Sequence, residues 1–142
     1  MTSDPLSPQD ALIATMIAVA AADEKITDSE LDWITATVRQ LPVFRGYDTD
    51  RIRNVSAMVA DLLEEEDGLD ALIGLVEAAL PDHLRETAYA FACDVAASDG
   101  GVDETEMKLL EMIRYDLRVG RLASAAIERG ARARHQNIEP RS

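Results

Sequence analysis

Two aspartate–glutamate pairs stand out in this chain because each repeats the same spacing: Asp23 with Glu30, and Asp99 with Glu106. Sliding the sequence on itself by 76 residues superimposes them. Val19-Ala20-Ala21-Ala22-Asp23 then lies over Val95-Ala96-Ala97-Ser98-Asp99, and Ile26-Thr27-Asp28-Ser29-Glu30-Leu31 over Val102-Asp103-Glu104-Thr105-Glu106-Met107. Of the thirteen aligned positions from 19 to 31, five are identical and six are like-for-like, leaving only Glu24/Gly100 and Lys25/Gly101 as real differences. Each copy reads as a helix end, a turn bearing an aspartate, a β-branched residue and a second helix start. Carboxylates from the exit of one helix and the first turn of the next sit at the same end of the pair. Such oxygens suit a hard divalent cation.

Much of each copy needs no ligand. Thr27 with Glu30, and Asp103 with Glu106, have capping-box spacing, in which cap side chain and glutamate satisfy backbone amides that the helix leaves orphaned. Ile26 and Val102 fit the apolar residue that staples the helix entry. Capping accounts for the glutamates but not for Asp23 and Asp99, which fall at helix C-termini, where the macrodipole disfavours negative charge. A cation would offset that cost.

The spacing is not that of an EF-hand, which needs glycine sixth and glutamate twelfth in its loop. Counted from Asp99 these are Glu104 and Leu110, and from Asp23 they are Asp28 and Ile34. A metal here would have few protein ligands, with water completing its shell. The second copy is better suited, because Gly100-Gly101 permits close approach of carbonyls, whereas Lys25 competes with a cation for Asp23.

These elements must be carried by helices. Glycine and proline are scarce and aromatics make up 4% of 142 residues, against 47% hydrophobic, a balance that favours packed helices over sheet. Ser7-Pro8-Gln9-Asp10 is a helix start, and Leu12, Ile13, Met16, Ile17 and Ala20 follow on one face. A second helix begins at Thr27, carries Leu31, Ile34, Val38 and Leu41, and stops before Pro42; residues 42–48 are expected to be a loop. Ile52, Val55, Val59, Leu62 and Leu63 mark a third helix over 48–66. Beyond Gly68, a fourth carries Leu69, Leu72, Ile73, Val76 and Leu80. Pro81 opens a fifth with Leu84, Ala88, Phe91 and Val95 inward, and the sixth runs from Asp103 with Met107, Leu110, Ile113 and Leu117 inward. Leu122, Ala125 and Ala126 mark a short seventh. The fold class is therefore all-α: a single-domain bundle of about seven helices built from two helix-loop-helix pseudo-repeats, spanning 1–142 with a core over 9–120 and a flexible tail over 135–142.

Charge narrows the function. The net charge is −13, with −17 in residues 1–113 and +4 in 114–142. An acidic body repels phosphates, which argues against nucleic acid. Arg129, Arg132 and Arg134 are too dispersed for strong binding to anionic lipid, so only weak membrane-surface contact through the tail is expected. The run Glu64–Asp67 reads as a solvated helix end. Ala11–Ala22 is too short to span a bilayer and has no basic residue before it, which places the chain in the cytoplasm. Cys93, the only cysteine, sits among apolar residues and reads as a small buried hydrophobe.

At Leu84-Arg85-Glu86-Thr87-Ala88 through Ala96-Ala97-Ser98-Asp99-Gly100-Gly101-Val102-Asp103-Glu104-Thr105-Glu106, the sequence resembles the TerB family of tellurite-resistance proteins, whose fold also occurs at the N-terminal side of DjlA-type co-chaperones. The resemblance covers most of 9–120. It implies a seven-helix bundle of two pseudo-repeats, no catalytic activity, and an acidic site for a divalent cation (calcium, magnesium or zinc) at Asp23, Glu30, Asp99 and Glu106. The first copy departs from the pattern, with Glu24 where the family usually has glycine.

Three readings follow. One is a non-enzymatic, metal-binding module in a stress-related, tellurite-resistance-like system, with a protein partner on an exposed helix face. The second is a structural interaction domain whose acidic motifs are only caps. The third, a metal-assisted hydrolase, lacks supporting residues: His83 and His135 are the only histidines, and no nucleophile–base pair or phosphate loop accompanies them.

Overall fold

Ten consecutive residues of the first helix, Asp10 to Val19, are buried. In the computed structural model, which describes residues 6–22, 26–98 and 103–139, this helix, α1 (Pro8–Ala20), is the axis of the molecule. The expectation of one inward face is corrected: α1 is covered on all sides, by α2 (Asp28–Gln40), α3 (Arg51–Leu63), α4 (Gly68–Ala79), α5 (Arg85–Ser98) and α6 (Glu104–Asp116). Ala-Leu-Ile-Ala-Thr-Met-Ile-Ala-Val offers no polar face to water, and a helix apolar all round is stable only when surrounded. Thr15 fits because its hydroxyl donates to the Ala11 carbonyl at 2.8 Å. Ser7 caps the start, its Oγ accepting from the Asp10 amide.

A seventh helix, α7 (Arg121–Arg134), packs along α5, and no strand occurs among the described residues. The chain is all-α. The most extensive contact in the molecule is between α1 and α5, the first helices of the two sequence repeats. Each repeat thus buries its apolar helix against its counterpart and carries the amphipathic second helix outside.

The segment expected as a loop at 42–48 begins with a 3-10 turn over Pro42–Phe44, which turns Phe44 into the core to stack on Phe91 at 5.8 Å. Between α3 and α4 the chain reverses so tightly that a Cβ at Gly68 would lie 1.7 Å from the Leu62 carbonyl oxygen. Asp67 beside it adopts φ 60°, in the left-handed region. The run Glu64–Asp67 spans this reversal and is exposed. His83 is exposed, in a 3-10 turn, Asp82–Leu84, that leads into α5.

One helix face differs from expectation, and the face of another is set by small residues. On α6 the inward residues are Leu109 and Ile113, with Leu117 following, while Met107 is 53% exposed. On α7 Leu122 is 86% exposed, and Ser124 and Ala131 are buried in its place. Small residues let α7 lie close on the alanine-rich α5, and the rotation that brings them inward turns Leu122 out. No helix among the described residues is long and apolar enough to cross a membrane.

Candidate functional site

The two acidic corners are built alike up to the turns themselves. In the first, α1 closes with the Ala21 amide on the Ile17 carbonyl and the Ala22 amide on that of Val19. In the second, Ser98 at the end of α5 donates its hydroxyl to the Val95 carbonyl at 2.8 Å. Asp23 and Asp99 lie outside the described residues.

Beyond the turns both capping boxes are closed. The Glu30 amide donates to Thr27 Oγ1 at 3.2 Å, and the Thr27 amide donates to Glu30 Oε1 at 2.9 Å. At the start of α6 the Glu106 amide donates to Asp103 Oδ1 at 2.8 Å, and the Asp103 amide donates to Glu106 Oε1 at 3.4 Å. Each satisfies two of the donors that a helix start leaves without intrahelical partners. The carboxylates also lie at the positive end of the helix macrodipole.

The corners differ in burial. Glu30 is half-buried, and its Oε1 accepts a second bond from the Thr27 hydroxyl at 3.0 Å. Glu106 is 6% exposed and has the Asp103 carboxylate beside it. Among the described residues no three His, Cys, Asp or Glu side chains gather as a metal-ligand group. The described part of the predicted set therefore fits helix capping, with Oε1 of each glutamate already committed to a cap amide.

The stretch of chain that carries both closed boxes, on α2 and α6, is matched by a family model. The model described as tellurite resistance protein TerB covers residues 9–129. The chain belongs to the TerB family. The TerB match runs from the first turn of α1 into α7, past the 9–120 span of the resemblance. No curated protein and no solved structure matches the chain.

Within this TerB domain the structure shows polar groups that sequence reasoning passed over. Asp10, read as a first-turn acid, is buried at the first turn of α1 and accepts from Tyr47 Oη at 2.7 Å and from Arg51 Nε at 3.2 Å, with Arg51 Nη2 closing the ion pair at 2.5 Å. Burial alone would raise the Asp10 carboxyl. The bonds from Arg51 and Tyr47 outweigh it and hold the group below its ordinary value. Tyr47 is shifted up by burial and by the Asp10 charge. An acid set directly against the apolar run from Ala11 was the available signal.

A second such pair joins α5 to α7, where Tyr89 Oη donates to Glu128 Oε2 at 2.6 Å. Burial, then that bond, pushes the Tyr89 hydroxyl up. Cys93, one turn further along α5, is buried as expected. At the far end of α7, Arg134 Nη2 donates to Asp94 Oδ1 at 2.7 Å, and His135 Nε2 lies 3.4 Å from the same oxygen. The His135 ring also meets Trp33 of α2, with centroids 6.4 Å apart.

Proposed function

We propose that this TerB-family chain is a non-enzymatic interaction module of the cytoplasm, acting in a stress-related system as one domain. Its acidic corners are devices that fix the α1–α2 and α5–α6 junctions. The observation that supports this reading is the closure of both capping boxes by the glutamates that were metal candidates. Partner proteins then dock on an exposed helix face. Thermal melts of Glu30→Ala and Glu106→Ala test it: each is expected to lose roughly 1 kcal/mol, the scale of a lost cap, with the same response to calcium, magnesium and zinc as the parent. A cation-induced rise in Tm that disappears in these variants would count against it.

A second reading is favoured by the burial of Glu106 beside Asp103. In it, Asp99 and Glu106 hold a divalent cation, calcium, magnesium or zinc, and Asp23 with Glu30 forms a weaker counterpart beside Lys25. The cation would neutralise the acids gathered at each turn and stiffen the junction. Calorimetry with each metal decides, because equal heats for the parent and an Asp99→Ala, Glu106→Ala double variant remove this reading.

A further inference from the structure

Helices α6 and α7 both lie on α5 but make at most marginal contact with each other. They diverge from the short turn at 117–120 and leave between them a cleft of about 620 Å³. Its volume falls within the range of sites that enclose a small organic molecule, roughly 300–1,000 Å³. The floor, from α5, is apolar, with Cys93, Ala96 and Ala97. The α6 wall adds Met107 and Leu110, one helical turn apart, which explains why a large apolar side chain is 53% exposed: it borders the cleft.

The charge at the cleft is opposite to that of the chain. Arg114 and Arg121 flank the end nearest the turn, and Arg132 lines the cleft from the far part of α7. None of the three forms an ion pair or a side-chain hydrogen bond among the described residues, although the chain carries 27 acidic residues and 14 basic ones. Arg114 is half-buried. Two carboxylates share the lining, Glu111 and Glu128, the latter accepting from the Tyr89 hydroxyl, so the three guanidinium groups leave the cleft one positive charge in excess. Arginine presents a donor fork suited to a carboxylate. An apolar trough with unpaired arginines at its end is complementary to a molecule with an apolar body and one anionic head. A large acidic partner would meet repulsion from the rest of the surface, net −13, whereas a single-headed amphiphile meets only the local arginines.

We propose that the α5–α6–α7 cleft binds a monomeric acyl carboxylate, with the chain along Met107, Leu110 and the α5 alanines and the carboxylate on Arg114 and Arg121. The proposal goes beyond the capping role of the acidic corners and is independent of it. Calorimetry of the full chain with laurate, kept below its micelle concentration, tests it beside three variants or probes. Laurate binds the parent chain; Arg114→Gln with Arg121→Gln weakens it by about tenfold, equivalent to about 1.4 kcal/mol. Ala125→Trp, at an exposed position in the lining, fills the trough and abolishes binding, with circular dichroism confirming the fold. Dodecanol, which has the chain without the charge, binds about tenfold more weakly than laurate. Bound laurate also slows alkylation of Cys93. Absence of laurate heat at millimolar concentration, equal affinity for dodecanol, indifference to Ala125→Trp, or binding confined to anionic vesicles or acidic helical peptides would each overturn the assignment.

Discussion

Arg51 at the start of α3 is ion-paired to Asp10 at the start of α1, with Nη2 2.5 Å from Oδ2, across 41 residues of sequence. Asp10 is buried while Arg51 is half exposed, so the carboxylate rather than the guanidinium depends on the contact. The carboxyl is held below its ordinary value, so its ionised form is preferred in the folded state. A depressed carboxyl contributes stability that is present above its unfolded pKa, about 4, and is lost as pH falls through the folded value. Denaturation of the parent chain is therefore expected to show stability falling below about pH 4. Asp10→Asn loses about 1–3 kcal/mol at neutral pH through imperfectly satisfied partners and flattens the acid limb. An acid limb as steep in the variant as in the parent would dissociate Asp10 from it.

The cap residues make a matched pair for comparison. Thr27 and Asp103 each accept from the amide three residues on, so Thr27→Ala and Asp103→Ala are each expected to cost about 0.5–2 kcal/mol, and the glycine variants only a few tenths. Urea denaturation measures all four. Alanine and glycine variants of equal stability would mean that the cap bonds contribute little.

Gly68 has a purely steric role. The Leu62 carbonyl oxygen lies 1.7 Å from where a Cβ would stand, and backbone cannot yield as a flexible side chain can. Gly68→Ala is expected to lower stability by about 1–3 kcal/mol or more through overpacking. Gly74→Ala, mid-helix with open space at its Cβ position, should instead be neutral or gain up to about 1 kcal/mol. A melt comparing the two separates close approach from helix propensity.

What was legible in the sequence was local. Thr27 with Glu30 and Asp103 with Glu106 were readable because a capping box closes within one turn, and Gly68 and Pro42 mark real boundaries. The surroundings of α1 were not, because periodicity assigns a face only when the faces differ, and Ala11 to Val19 is apolar throughout save Thr15. Asp10 looked like a first-turn acid since its partners stand 37 and 41 residues away. On α6 Met107 was assigned inward, yet it faces outward, and on α7 Leu122, which helped mark the helix, is exposed. There the close fit of small residues decided the rotation of α7, a packing effect with no signature in hydrophobic spacing. Of the four candidate site residues, Glu30 and Glu106 serve as caps, and their partners in the turns lie outside the described residues.

Cys93 offers a chemical probe of the interior. Burial pushes its thiol up to about 11, with the Glu128 and Asp94 charges adding to the rise. The thiolate is the reactive species, so alkylation of the native chain at pH 8 is expected to be at least about tenfold slower than in denaturant. A native rate equal to the denatured one would show that the α5–α7 interface opens readily.

The end of α7 is anchored at Arg134 and at His135, the first residue of the segment expected as a tail over 135–142. Asp94 on α5 receives Arg134 and His135, and His135 lies against Trp33, the only tryptophan in the chain. Trp33 is half-buried, and part of its cover is this histidine. Fluorescence therefore reports the anchor directly. Asp94→Ala releases Arg134 and His135 from their shared carboxylate. A chain ending at Ala133 removes them altogether. In both, acrylamide should quench Trp33 more steeply than in the parent, the truncation more than the substitution, since the substitution leaves His135 able to revisit the ring. The far-ultraviolet dichroism should change little, because α7 remains held by Tyr89–Glu128 and by buried Ser124 and Ala131. Unchanged quenching in the truncated chain would mean that His135 does not cover Trp33 in solution, and that the Asp94 pairs fasten α7 to α5 without reaching α2.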